Sequence, residues 1–142
     1  MKRLLLILLL LICLSGCKSK LHAITTYQEW DELITMKLEG VYQESLMYDL
    51  RDKTLCEAGH VSGFLCVFYQ ETLTFLQVEA NIEILYGKDA LILLMCEDGT
   101  ISFELGESLI KKGYRHVYYF QNGYTAYAQA KPNFVPEVGC NC

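Results

Sequence analysis

The chain has 142 residues with 12 basic against 17 acidic side chains, a formal net charge of −5. That length supports one ordinary domain and leaves no room for a second core. The acidic balance excludes the basic footprint of a nucleic-acid binder, and it supplies no lysine-rich patch to hold anionic lipid by charge alone.

Met1-Lys2-Arg3 opens the chain with positive charge, Leu4 to Ile12 is apolar throughout, and Leu14-Ser15-Gly16-Cys17 places small residues before a cysteine. The apolar run is shorter than the ~20 residues of a spanning helix, so residues 1–16 are expected to be a lipoprotein signal peptide outside the mature fold. Leu14 to Cys17 resembles a bacterial lipobox. The resemblance implies cleavage before Cys17, diacylation of that cysteine, and a lipid-anchored protein on the extracytoplasmic face of the bacterial cell envelope. Cys13 would leave with the peptide. Residues 17–23 are then a lipidated tether, 24–130 the domain, and 131–142 a C-terminal tail with Cys140 and Cys142. Loss of Lys2 and Arg3 makes the mature chain more acidic still, so the acyl chains must do the anchoring to the lipid membrane.

After the tether, Ala23 to Thr25 reads as a short strand. Thr26-Tyr27-Gln28-Glu29 has the spacing of a capping box, and Tyr27, Trp30, Ile34 and Leu38 repeat as one apolar stripe of a helix from about Tyr27 to Lys37. Ser45 to Arg51 is expected to be a central parallel strand with Asp49 and Arg51 at its end. The glycines of Glu57 to Gly63 make that stretch a loop. Phe64 to Tyr69 has the β-branched and aromatic bias of a strand. Gln70 to Tyr86 reads as a long helix with Leu73, Leu76, Ala80 and Ile84 on one side. Ala90 to Met95 is an unbroken apolar strand. A helix with Phe103, Leu105, Leu109 and Ile110 follows, ended by Lys111-Lys112-Gly113 with basic residues at the negative end of its dipole. His116 to Phe120 is a further strand, Gln121-Asn122-Gly123 a turn, and Tyr124 to Ala130 a last short helix. Pro132 and Pro136 then close off regular structure.

Strands alternating with helices in this order predict an α/β fold of three layers, a mostly parallel sheet with helices on both faces. Ligands in such sheets bind beyond the C-terminal strand ends, where Asp49, Arg51 and Cys96 all fall. Cys96 sits between a buried strand and a helix start, with Glu97, Asp98, Gly99, Thr100, Ile101 and Ser102 as the loop. Backbone N–H groups of such a loop and the positive end of the helix favour a thiolate or a bound anion. Gly99 is placed where a sharp turn needs permissive φ, and Ser102 is expected to cap the helix.

Five cysteines follow Cys17: Cys56, Cys66, Cys96, Cys140 and Cys142. No paired framework is legible, so no disulfide scaffold is expected. Cys66 reads as inert core, and Cys56, in a polar loop, as a thiol that either pairs or stays free. The tail pair could relay sulfur, resolve a persulfide, pair with Cys56 or bind a soft metal, although two ligands make a poor site. No metal or cofactor is expected. Arg51 is read as an ion-pair partner of Asp49 or another sheet-end carboxylate, His60 as a holder of backbone by a hydrogen bond, and the aromatic string Tyr118, Tyr119, Phe120, Tyr124 and Tyr127 as packing.

Several stretches together resemble the rhodanese-like family. Tyr48-Asp49-Leu50-Arg51-Asp52 is similar to its aspartate-x-arginine strand end, and Glu57 to Gly63 to its E-x-G-H-I-x-G segment. Cys96 to Ser102 stands where the active-site loop belongs. Gly113-Tyr114-Arg115-His116-Val117-Tyr118 and Asn122 to Tyr127 are similar to its closing elements. The match runs in order from about Ile24 to Ala130. The resemblance implies a sulfurtransferase in which Cys96 takes sulfane sulfur from a donor, holds it as a persulfide and passes it to a thiol acceptor.

Two departures qualify that expectation. The family's active loops usually carry arginine five positions after the cysteine, and here that position is Ile101; Glu97 and Asp98 follow the cysteine directly. A carboxylate about 6 Å from the sulfur costs an anion roughly 1 to 3 kcal/mol, comparable with the roughly 0.3 to 2 kcal/mol that a helix N-terminus provides. Thiosulfate is therefore a doubtful donor for this loop, and the missing arginine argues against the phosphatases of this fold, whose cysteine and arginine grip phosphate together. Three readings stand: a sulfurtransferase working through Cys96, a non-catalytic binding module that presents the acidic loop to a ligand or to a protein partner in the envelope, or a thiol–disulfide partner that uses Cys96 with Cys140 and Cys142.

Overall fold

The computed structural model describes residues 18–67 and 74–140. The expected signal peptide, Cys17 with its expected lipidation, and Cys142 lie outside the described residues. The elements in chain order are β1 (His22–Ile24), α1 (Tyr27–Leu38), β2 (Ser45–Asp49), α2 (Lys53–Ala58), β3 (Leu65–Cys66), α3 (Phe75–Leu85), β4 (Leu91–Met95), α4 (Thr100–Lys111), β5 (His116–Phe120) and α5 (Gly123–Ala130). The strands form one sheet in the order β1-β5-β4-β2-β3, and every pairing is parallel.

Leu91–Met95 is apolar at each position because both faces of β4 are covered. Ile92 and Leu94 point with Leu46, Tyr48, Val117 and Tyr119 into a core closed by Val78 and Ile82 of α3 and Leu105 and Leu109 of α4. Leu91, Leu93 and Met95 point the other way, with Met47 and Phe120, onto Trp30 and Leu33 of α1 and Tyr127 of α5. Period-two alternation thus divides one strand between two layers. Cys96 continues this alternation into the α3–α4 side.

Differences from the sequence expectations have local causes. The stripe of α1 buries Trp30 and Leu33, while Leu38 is exposed because the helix ends there, ahead of Gly40 at φ +68°. The long helix begins later than expected, where Thr74 and Gln77 form a reciprocal capping box. Its buried face is Val78, Glu79 and Ile82, so Leu76 and Ile84 stand exposed. Two i, i+4 stripes of α3 are apolar, and Glu79 settles which one is inside, since its carboxylate meets Ser108 of α4 and Lys112 at that helix's C-cap. Phe64 to Tyr69 contributes only Leu65–Cys66 as strand, residues 68–73 lying outside the described residues. The tether expectation shortens as well, because His22 already pairs with Tyr118 in the sheet.

α2 was not expected. Asp52 caps it, its Oδ1 accepting the Leu55 N–H at 2.9 Å. The helix turns Cys56 inward, where it forms a disulfide with Cys66. This corrects the reading of Cys66 as inert core, and of the two alternatives left open for Cys56, pairing or staying free, it is the pairing that is found. Cys140 is disulfide-bonded too. The tail lies along the domain: His60 and Glu137 exchange backbone hydrogen bonds at 2.9 Å each way, Gly139 N–H donates to Glu57 O at 2.9 Å, and Phe134 packs edge-on to Tyr124 and Tyr127.

The Cys56–Cys66 bridge closes a loop of sequence separation 10, which in the chain-entropy picture stabilises by about 2 to 3 kcal/mol. Cys66→Ser is expected to lower the stability measured by urea unfolding by about that amount. A reductant should then weaken the native chain and leave the variant nearly unchanged with respect to this bridge.

Candidate functional site

The register sets the site. Asp49 pairs with Met95 and Phe120 pairs with Ile24, so the chain leaves β2, β4 and β5 on one rim, where residues 50–52, 96–99 and 121–123 meet. Cys96 follows β4 and is 2 % exposed. Its carbonyl accepts the Tyr124 N–H at 2.9 Å.

Two glycines lock the cysteine loop to the β5–α5 turn. Gly99 has φ +86°, and a Cβ there would stand 2.0 Å from the Gln121 carbonyl oxygen. Gly123 has φ +80°, and its Cβ would stand 1.9 Å from the Glu97 carbonyl oxygen. Only glycine combines a positive φ with so close a backbone approach. Gly99 is also the N-cap of α4 and offers no side chain; Asp98 substitutes for one, its Oδ1 accepting the Thr100 N–H at 3.0 Å. These hydrogen bonds from Thr100 hold the Asp98 carboxyl below its usual range. Ser102 therefore does not cap the helix. It lies buried within the first turn, and its hydroxyl has no hydrogen-bond partner among the described residues.

Arg51 is held from several sides. Its Nε and Nη2 clasp Asp49, with Nη2 to Oδ2 at 2.7 Å. Nη2 also donates to Gly59 O at 2.6 Å, and the guanidinium lies 3.5 Å from the centre of the Tyr124 ring. Asp49 is fully buried and Arg51 5 % exposed, so of the ion-pair partners expected for Arg51 it is Asp49 that is found, and the pair is desolvated. The Glu97 carboxylate stands 3.8 Å from Arg51 Nη1 and accepts from the Thr125 hydroxyl.

A cavity of about 230 Å³ opens at Cys96, lined by Leu50, Arg51, Asp52, Leu55, Cys96, Glu97, Asp98 and Ile101. Three of the six expected loop residues, Glu97, Asp98 and Ile101, share it with Cys96, while Gly99, Thr100 and Ser102 are not part of its lining. Asp52 and Leu55 were missed, because they belong to α2; an aspartate three residues before Leu55 is the capping signal that could have found them. His60 lies elsewhere. It is buried, its Nδ1 3.0 Å from Cys56 O and 3.7 Å from the Cys66 sulfur, and it braces the disulfide. The potential ligand atoms of Cys56, His60 and Cys66 lie within 4.8 Å of one another, but the bridge occupies both sulfurs.

Together the parallel sheet, the cysteine at the end of its central strand and the short loop into α4 define a rhodanese fold. A family model for the rhodanese-like domain matches residues 29–130, and the chain belongs to that family. Among solved structures, the crystal structure of the Alr3790 protein from Anabaena sp. is similar at 16 % identity and a TM-score of 0.56, covering 75 % of this chain and 77 % of that one. The rhodanese-like domain protein from Staphylococcus aureus is similar at 20 % identity and a TM-score of 0.53, over 82 % of this chain and 97 % of that one. The solution structure of the rhodanese-like domain of Alr3790 is similar at 14 % identity and a TM-score of 0.53, over 85 % and 79 %. No curated protein is a significant match.

Proposed function

We propose that the protein is a sulfurtransferase that carries sulfane sulfur as a persulfide on Cys96, anchored to the envelope membrane through acylated Cys17. One observation carries the reading. Cys56, Cys66 and Cys140 are disulfide-bonded, whereas Cys96 is a free thiol and opens on the rim cavity. A domain whose other described cysteines are oxidised keeps a thiol where a nucleophile would act. The lipobox supports the anchor, and among the described residues no helix is long and apolar enough to cross a membrane.

The rival reading, a binding module, draws on the acidic loop and on Ile101 in place of arginine. Both are tested by following sulfur transfer from organic persulfides to an acceptor thiol. Cys96→Ser is expected to abolish transfer above the uncatalysed rate while leaving the fold intact. Activity that survives Cys96→Ser, or is absent from the native chain with every donor, contradicts the proposal. A ligand whose binding survives Cys96→Ser and fails in Glu97→Lys would establish the module.

A further inference from the structure

The charges around Cys96 do not suit an inorganic anion. Three carboxylates, Asp52, Glu97 and Asp98, line the cavity against one guanidinium, Arg51. That guanidinium is already engaged by Asp49, by Gly59 O and by the Tyr124 ring, and its side chain is 3 % exposed. A carboxylate of the protein also sits at the helix N-terminus, where Asp98 takes the Thr100 N–H. A bound anion would compete with it for the same positive end. The rest of the lining, Leu50, Leu55 and Ile101, is apolar.

We infer that the donor is a small organic persulfide carrying an ammonium group on a short apolar chain. This rests on the sulfurtransferase reading and adds the substrate class. The ammonium would face Glu97 and Asp98, the methylenes the apolar wall, and the outer sulfur the Cys96 thiolate. The Cys96 electron pair attacks that outer sulfur: the Sγ–S bond forms, the donor's S–S bond breaks, and the donor thiolate leaves with the bonding pair and is then protonated. Cys96 is left as the persulfide, with no other oxidant or reductant consumed. A cavity of about 230 Å³ is smaller than the usual drug-sized site of roughly 300 to 1,000 Å³, which fits a donor of few heavy atoms.

The test uses the full chain in detergent and the 2-aminoethyl, 2-hydroxyethyl and 2-carboxyethyl hydropersulfides, with thiosulfate as an inorganic member. The rate at which Cys96 gains sulfur is measured by mass spectrometry, each rate divided by that of a small free thiol with the same donor to remove intrinsic reactivity. The aminoethyl donor is expected to exceed the carboxyethyl donor by at least about tenfold, with the neutral donor between them. Glu97→Gln with Asp98→Asn, which keeps an acceptor for the Thr100 N–H, should flatten the series, as should high salt. Loading by all donors with the carboxyethyl compound or thiosulfate equal or faster overturns the donor class and leaves the sulfurtransferase standing. No loading by any donor overturns that reading itself.

Discussion

Replacing Gly123 by alanine is expected to be among the most damaging single changes in this protein. The new Cβ would stand 1.9 Å from the Glu97 carbonyl oxygen and 2.6 Å from the Asp98 nitrogen, on a backbone at φ +80°. The left-handed conformation costs an alanine about 1 to 2 kcal/mol, and the overlap with rigid backbone adds about 1 to 3 kcal/mol. The chain can relieve it only by separating the cysteine loop from the β5–α5 turn, which breaks the hydrogen bond from Tyr124 N to Cys96 O. The expected loss is about 2 to 5 kcal/mol in urea unfolding, accompanied by loss of sulfur transfer. Gly113→Ala is the matched control, because Gly113 has φ +94° with nothing within 4 Å of its Cβ. That variant should lose only the conformational part and keep its activity. Equal losses at the two positions would show that the backbone contact contributes nothing.

Arg51→Leu is expected to cost about 3 to 5 kcal/mol. The substitution removes both guanidinium contacts from an Asp49 that has no exposed surface, and it takes the donor from Gly59 O. What remains is a buried carboxylate without its cation, whose only recorded hydrogen bond among the described residues is from the Arg51 backbone N–H at 3.0 Å. The double replacement Asp49→Asn with Arg51→Leu should recover part of the loss, since it removes the stranded charge. Purely additive losses in this cycle would mean that the two side chains do not act as a pair.

The parts legible in the sequence were those whose environment is symmetrical or strongly punctuated. Leu91–Met95 could only be a strand covered on both faces, and β5 falls at His116–Phe120 as expected. Cys96 and Gly99 followed from those neighbours. What escaped notice was short or ambiguous. A six-residue helix, Lys53–Ala58, is too brief to show a period of 3.6, and missing it hid the inward turn of Cys56, the disulfide, and the contribution of Asp52 and Leu55 to the cavity. On α3 two apolar stripes competed, and the buried face depended on a partner for Glu79 that lies on α4. Ser102 resembled a cap because serine favours that place, but Asp98 already supplied the acceptor.

The same contacts sharpen what the loop can do. Asp98 and the two interlocked glycines set the backbone around Cys96 independently of any ligand, as a preorganised site requires. Arg51 lines the cavity, but its guanidinium is already taken up by Asp49 and Gly59 O, so the three carboxylates outweigh it in the local field. A sulfur carrier with this lining would favour donors unlike the inorganic dianion that the family resemblance first brings to mind.

Peptide mass spectrometry of Cys96 after incubation of the full chain with aminoethyl hydropersulfide is the most direct measurement. The peptide containing Cys96 is predicted to gain the mass of one sulfur atom, to lose it on addition of an acceptor thiol, and to stay unmodified in Cys96→Ser. An unchanged Cys96 peptide with the aminoethyl, hydroxyethyl and carboxyethyl donors and with thiosulfate would contradict a persulfide-carrying role for this thiol.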